Sequence, residues 1–235
     1  MFDAIAPRYD VINTALSLGM HSLWRRKMVS SLELKPGFKV LDLGTGTADV
    51  ALAIAKELAK QGGSKNIGKE AVIGLDPSQN MLSHGRKKVH KAGFSDKAVK
   101  LIHGDALNLT ASFAEEANFD AVTMAFAIRN IPDRLRVLQE IFKVLKHGGK
   151  VAILELGEPT FAPARWFVRY CVPFIGSLLS GGARREYEHL EKSVMAFDSK
   201  RFAQQISDAG FQLQSITAMN FGSVNLFVAT KAEAA

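Results

Sequence analysis

From residue 39 onward, short apolar runs alternate with amphipathic stretches. Residues 39–44 form an apolar run, broken by one acid, that ends in glycine, which predicts a buried strand. Residues 48–60 are alanine-rich with apolar positions three and four apart, which predicts a helix. The same reasoning predicts strands at 70–76, 99–103, 119–126 and 150–156, and helices at 78–92 and 133–145. The last helix has Asp133 as its N-cap and Gly148-Gly149 as its stop. A helix at 199–210 and an antiparallel strand pair at 212–218 and 223–230 close the pattern.

Strands that alternate with helices bury both faces of a parallel sheet. The expected fold is therefore α/β, a doubly wound, mostly parallel seven-stranded sheet of Rossmann-like type. The whole chain, 1–235, reads as one domain with four parts. Residues 1–34 are N-terminal helices, 35–158 the ligand-binding core, 159–197 an insertion and 198–235 the C-terminal helix and strand pair. The insertion breaks the rhythm with prolines and aromatics, and is expected to cover the site. Residues 61–68, polar and glycine-rich, read as a surface loop.

Composition narrows the classes. A chain of 235 residues with 47% hydrophobic content supports one sizeable core and argues against disorder. The single cysteine, Cys171, cannot form an internal disulfide and suits a reducing compartment. No basic-then-apolar N-terminal stretch suggests a secretory signal, and no run is long enough to span a bilayer. A cytoplasmic location follows as the expectation. The net charge of +7 is spread over scattered lysines and arginines, with no zinc-finger or RNA-binding motif beside them, so nucleic acid is not an expected partner.

The candidate chemistry lies after the strands, where open α/β sheets bind ligands. The first strand leads into Gly44-Thr45-Gly46, which lets a backbone approach a ligand at a helix N-terminus. A dinucleotide loop or a purely structural turn would look similar. Asp42 sits inside the strand, where a buried carboxylate needs a partner, and the ammonium of S-adenosylmethionine is a suitable one. Asp49 stands where a dinucleotide fingerprint has its third glycine, and a carboxylate there disfavours a pyrophosphate. Asp76 ends the second strand and can accept ribose hydroxyls, or cap the following helix. Asp105 follows the third strand and can accept from an adenine amino group, or hold a turn. The six histidines show no metal-ligand spacing, and neither a G-x-S-x-G elbow nor a Walker loop is present. No metal is expected.

More specific patterns follow. Residues 9–13 (YDVIN), 16–21 (LSLGMH) with Trp24, 125–130 (AFAIRN) and 143–155 (KVLKHGGKVAILE) resemble the signatures of the ubiquinone/menaquinone biosynthesis C-methyltransferases. The resemblance runs from Phe2 to about Lys231. It departs from that family at Ala127, usually glycine, at His147, usually proline, at Gly157, usually serine, and at Tyr187-Glu-His-Leu190, usually Tyr-x-Tyr-Leu.

The resemblance implies S-adenosylmethionine-dependent methylation of a polyprenylated quinol ring carbon. It implies a cofactor site of Asp42, Gly44, Thr45, Gly46, Asp49, Asp76, Pro77, Met81, Gly104, Asp105, Ala106 and Ala125. Arg129, Asn130, Tyr9 and His21 become the candidates on the acceptor side. Arg129 would stabilise a phenolate or sit in a structural salt bridge, and Tyr9 and His21 would touch the ring or relay a proton. A lipid-like substrate also implies peripheral contact with the inner membrane face or a biosynthetic complex, and a homodimer is a further expectation. Three other readings stay open: a methyltransferase of another acceptor, an NAD oxidoreductase, and a non-catalytic S-adenosylmethionine-binding subunit.

Overall fold

The computed structural model describes residue 14 and residues 16–64, 67–113, 119–172 and 192–232. They build one seven-stranded sheet, in the order β3-β2-β1-β4-β5-β7-β6. The strands are β1 (Val40–Leu43), β2 (Val72–Asp76), β3 (Val99–His103), β4 (Phe119–Ala125), β5 (Leu145–Leu156), β6 (Phe211–Met219) and β7 (Val224–Lys231). β1 to β5 pair in parallel, and β7 joins β5 and β6 antiparallel. The longer helices are α1 (His21–Ser31), α2 (Asp49–Gly62), α3 (Gln79–Lys91), α4 (Arg134–Val144) and α5 (Ser199–Asp208).

Both faces of the sheet are covered, and the core divides accordingly. Val40, Ala152 and Leu154 face a layer with Trp24, Met28 and the apolar side of α2. Leu41, Leu43, Val151 and Ile153 face a second layer with Ile128, α4 and α5. Period-two alternation explains this split. It also puts Asp42 with Val40 on the α1–α2 side, and Glu155 with Val151 and Ile153 on the α4–α5 side.

The strand order reverses direction between β1 and β4. Ligands on such sheets settle outside the carboxyl ends of the strands at this switch. Those ends are Gly44 on one side and Ala125-Phe126 on the other.

Two expectations need correction. β5 begins at Leu145, not residue 150, and Gly148-Gly149 lies within it instead of ending a helix. Its pairing with β4 shifts register between Phe119 and Ala121, so the extra residues form an irregularity that local sequence does not announce. In the insertion, the described part holds a short helix (Ala162–Trp166) and a π turn (Phe167–Cys171). The Tyr187–Leu190 pattern lies outside the described residues.

Candidate active site

The loop after β1 is set by backbone conformation. Gly44 and Gly46 have φ of +63° and +54°, and Ala48 follows at +66° as the residue before α2. Gly44 is also sterically fixed, since a Cβ there would stand 2.8 Å from the Cβ of Ala127. The glycine loop and the turn after β4 are thus in contact. Met81 lines the loop from below, with its Cε 3.8 Å from where a Gly46 Cβ would sit.

Asp76 ties β2 to this loop. Its Oδ2 accepts the Gly46 N–H at 2.8 Å, and its Oδ1 accepts the Ser78 N–H at 2.8 Å. The side-chain cap of α3 is Ser78, which accepts from Met81 N–H, so capping is not the role of Asp76. Pro77 is held through its carbonyl, 3.1 Å from His103 Nε2. Gly104 N–H donates to the Asp76 carbonyl at 3.2 Å, and a Cβ at Gly104 would strike Leu75. Asp105 is exposed and accepts the Leu107 N–H at 2.9 Å, opening a short turn that begins with buried Ala106.

Asp42 is only 1% exposed. Its Oδ1 accepts from the Thr123 hydroxyl at 2.7 Å. Its Oδ2, the Thr45 hydroxyl and Arg25 Nε are buried and unpartnered among the described residues. Burial raises the carboxyl of Asp42 from 3.8 to about 6, against the Thr123 hydroxyl, the charge of Arg25 and the Thr45 hydroxyl, which lies near without meeting hydrogen-bond geometry, with Asp76 adding to the rise. A buried carboxylate with an open oxygen is costly, and a cationic ligand group relieves it. This is the observation that fits an ammonium-bearing cofactor to the site.

Asp49 has a different role from a free ligand contact. Arg25 Nη1 reaches its Oδ2 at 2.7 Å, and Lys88 Nζ reaches its Oδ1 and also the Thr47 hydroxyl at 3.1 Å. Both of its oxygens are engaged by cations from α1 and α3. It is the first residue of α2.

The turn after β4 carries Ala125, Phe126, Ala127, Arg129 and Asn130. Phe126 adopts a left-handed φ of +58°, uncommon for a bulky residue. Its ring meets Trp24 edge-on at 6.2 Å. Arg129 is held in a buried ion pair with Glu155 at 2.7 Å, the side chains 7% and 0% exposed. Its Nη1 also donates to the Phe126 carbonyl at 2.7 Å, and its Nε to Ser193 Oγ at 3.3 Å. Three of its five N–H bonds are thereby committed, and Nη2 has no hydrogen bond among the described residues. The salt-bridge alternative for Arg129 is therefore realised. Asn130 closes the turn, its N–H on the Ala127 carbonyl at 3.1 Å.

His21 opens α1, one turn before Trp24, with Nδ1 2.7 Å from the Ser17 hydroxyl. Tyr9 lies outside the described residues. Glu155, Thr123 and Arg25 escaped the sequence reading. The available signal for Glu155 was a lone acid in the apolar run of 151–156. Where the resembling family has serine, Gly157 makes room for Asn225, whose Nδ2 lies 2.8 Å from a Cβ built there.

The chain matches the ubiE/COQ5 methyltransferase family over residues 1–231. It is 35% identical over 238 residues to a demethylmenaquinone methyltransferase of Bacillus cereus, covering 99% of this chain and 94% of that one. Among solved structures it resembles the [4+2]-cyclase SpnF, with a TM-score of 0.69 and 15% identity over 100% of this chain and 95% of that one. It also resembles an S-adenosylmethionine-dependent methyltransferase from Aquifex aeolicus, with a TM-score of 0.64 and 18% identity over 95% of this chain and 98% of that one. At such identities the structures show the fold alone, and one of them is described as a cyclase, so fold does not settle chemistry. The family match over nearly the whole chain does: this chain belongs to the ubiE/COQ5 methyltransferase family and is an S-adenosylmethionine-dependent methyltransferase.

Proposed function

We propose that the chain methylates a ring carbon of a polyprenylated naphthoquinol, converting demethylmenaquinol to menaquinol. The observation that carries this reading is the 35% identity, over 99% of the chain, to relatives named demethylmenaquinone methyltransferase.

S-adenosylmethionine, when bound, supplies a methyl group on a cationic sulfur. The residues that would hold it are those at the ends of β1, β2 and β3. Asp42 would face the ammonium, Gly44, Thr45 and Gly46 would line the amino-acid end, and Asp76, with Pro77 and Met81, would receive the ribose. Gly104, Asp105 and Ala106 would border the adenine, and Ala125 the methyl end. Asp49 serves through the α2 N-terminus and its cations.

The acceptor needs a nucleophilic ring carbon, which a quinol gains as its hydroxyl loses a proton. A guanidinium donates hydrogen bonds and accepts none, so Arg129 serves as a donor. With Nη1 and Nε held by the protein, its Nη2 donates to the phenolate oxygen. Asn130 orients the ring hydroxyl, and His21 and Tyr9 serve as ring contacts or proton carriers. Methylation of the ring carbon would release S-adenosylhomocysteine, and the C–H proton that carbon loses would pass to solvent through those proton carriers. Holding the ring in line with the methyl supplies much of the rate.

A prenylated quinol resides in a bilayer, and no helix among the described residues is long and apolar enough to cross one. Phe161, Trp166, Phe167 and Tyr170 are exposed on the insertion, beside Arg165 and Arg169. This segment makes a weak contact with anionic lipid at the inner membrane face. Sedimentation with anionic vesicles at low salt should pull down the chain, and Trp166→Ala with Phe167→Ala should weaken it. Absence of any binding at low salt leaves delivery by a partner protein, or by a complex of two copies, as the route.

The reaction itself is tested with methyl-labelled S-adenosylmethionine and reduced demethylmenaquinone. Label in menaquinol supports the proposal. Label only in a benzoquinol precursor of ubiquinone would overturn the choice of acceptor.

A further inference from the structure

Glu155 holds Arg129 at both its main chain and its head. Its Oε2 accepts the Arg129 backbone N–H at 3.0 Å, and its Oε1 accepts Arg129 Nη1 at 2.7 Å and the Leu156 N–H at 2.8 Å. The same Nη1 donates to the carbonyl of Phe126, the residue in the left-handed conformation. A second cation braces the turn from outside, because Arg134 Nη2 donates to the Arg129 carbonyl at 3.1 Å and its guanidinium lies over the Phe197 ring.

The segment so fixed touches both halves of the site. The Phe126 ring meets Trp24 of α1, and the Ala127 Cβ occupies the space that Gly44 leaves by lacking its own. A strained backbone persists only where its surroundings over-determine it. Here those surroundings include one acid on β5 and the arginine it holds, beside the Phe126 N–H on the Leu154 carbonyl at 2.7 Å. The carboxylate itself is fully buried, with three donors on it, so it does not reach substrate.

We propose that Glu155 is a positioning residue for methyl transfer. It acts through Arg129, setting the Phe126-Ala127 turn against the glycine loop and leaving Nη2, which has no hydrogen bond among the described residues, to serve the acceptor. This rests on the quinol methyltransferase reading above. A merely structural ion pair would cost folded protein but leave each folded molecule as fast as before.

The chain has two tryptophans, Trp24 and Trp166, so emission is read in a Trp166→Phe background, where Trp24 reports alone, and turnover is read in the otherwise unsubstituted chain, the parent. In both, Glu155→Gln keeps the shape and removes the charge, and Glu155→Asp keeps the charge on a shorter arm. Active sites are counted by titration with S-adenosylhomocysteine, and turnover is expressed per site. Glu155→Gln is expected to bind that ligand nearly as tightly as the parent, to shift Trp24 emission to the red, and to turn over about 10- to 100-fold more slowly. The acceptor KM should change less than kcat, and Glu155→Asp should recover part of the rate.

Unchanged turnover per site, or a loss matching the fraction of unfolded protein, would overturn the proposal. If Glu155→Gln does not fold, Glu155→Asp decides on the same two criteria. An unsubstituted chain that transfers no methyl to demethylmenaquinol would sink the acceptor assignment instead. Trp24 emission would still judge the positioning role, and an unshifted spectrum in a folded Glu155 variant would end it.

Discussion

Asp42 and Glu155 are both carboxylates on central strands, 1% and 0% exposed, yet their surroundings differ in kind. Glu155 has three donors, one of them the Arg129 guanidinium, all from the chain itself. Asp42 has one hydroxyl on one oxygen and no partner on the other among the described residues. A buried acid is tolerated when its lone pairs and charge are met. The protein meets those of Glu155 and leaves those of Asp42 to something else. On the proposed reading, one acid belongs to the scaffold of the acceptor side, and the other is where a cationic ligand would be completed on the cofactor side.

The sharpest way to break this contrast is to remove the cation that serves Glu155. Arg129→Ala strands a fully buried carboxylate, and loss of one member of such a pair costs about 3–5 kcal/mol. Urea unfolding of the cofactor-free protein should show that loss. Turnover should fall strongly, while S-adenosylmethionine affinity changes little. A variant as stable as the parent would mean that Glu155 is not held by charge.

Asp76 tests the cofactor side. Asp76→Ala should weaken S-adenosylmethionine binding by about 2–4 kcal/mol, taking charge-assisted hydrogen bonds to a ribose at their usual strength. It should also lower stability, because the Gly46 and Ser78 N–H groups lose their acceptor. Calorimetric titration at equal folded fraction separates the two effects. An unchanged affinity would confine Asp76 to holding the loop.

Asp42 should respond to pH in the opposite sense to a well-served acid. Its carboxyl is raised from 3.8 to about 6 by burial, so the folded chain holds a proton that the unfolded chain releases. The stability from this site is full below pH 3.8 and lost as pH rises through about 6. The difference corresponds to about 3 kcal/mol at pH 8. Asp42→Asn should therefore gain stability relative to the parent between pH 4 and pH 8, while losing cofactor affinity. Binding should tighten in the parent as pH rises through about 6, since an ammonium pairs only with the carboxylate. A stability difference that is flat with pH would remove the argument for a ligand-completed acid.

What could be read from the sequence follows this division. The cofactor side is built by local features. Apolar runs bounded by turn residues gave β1 to β4 nearly to the residue, and two glycines with acids after successive strands marked the loops. The chemistry of each acid was harder, because partners from other elements decide it. Asp49 is engaged by Arg25 from α1 and Lys88 from α3, at separations of 24 and 39 residues. The acceptor side rests on such distant contacts. Nothing near Arg129 in sequence announces Glu155, 26 residues away on another strand. The early start of β5 was hidden similarly, since an irregular pairing with β4 carries Gly148-Gly149 into the strand.

The most direct test of the central claim is calorimetry of S-adenosylmethionine binding to the parent and to Asp42→Asn at pH 8, with NAD as a control ligand. The account predicts binding of S-adenosylmethionine by the parent, marked weakening in Asp42→Asn, and no comparable heat with NAD. Equal affinities in the two proteins would contradict it, because the buried open carboxylate would then not be what the cofactor completes.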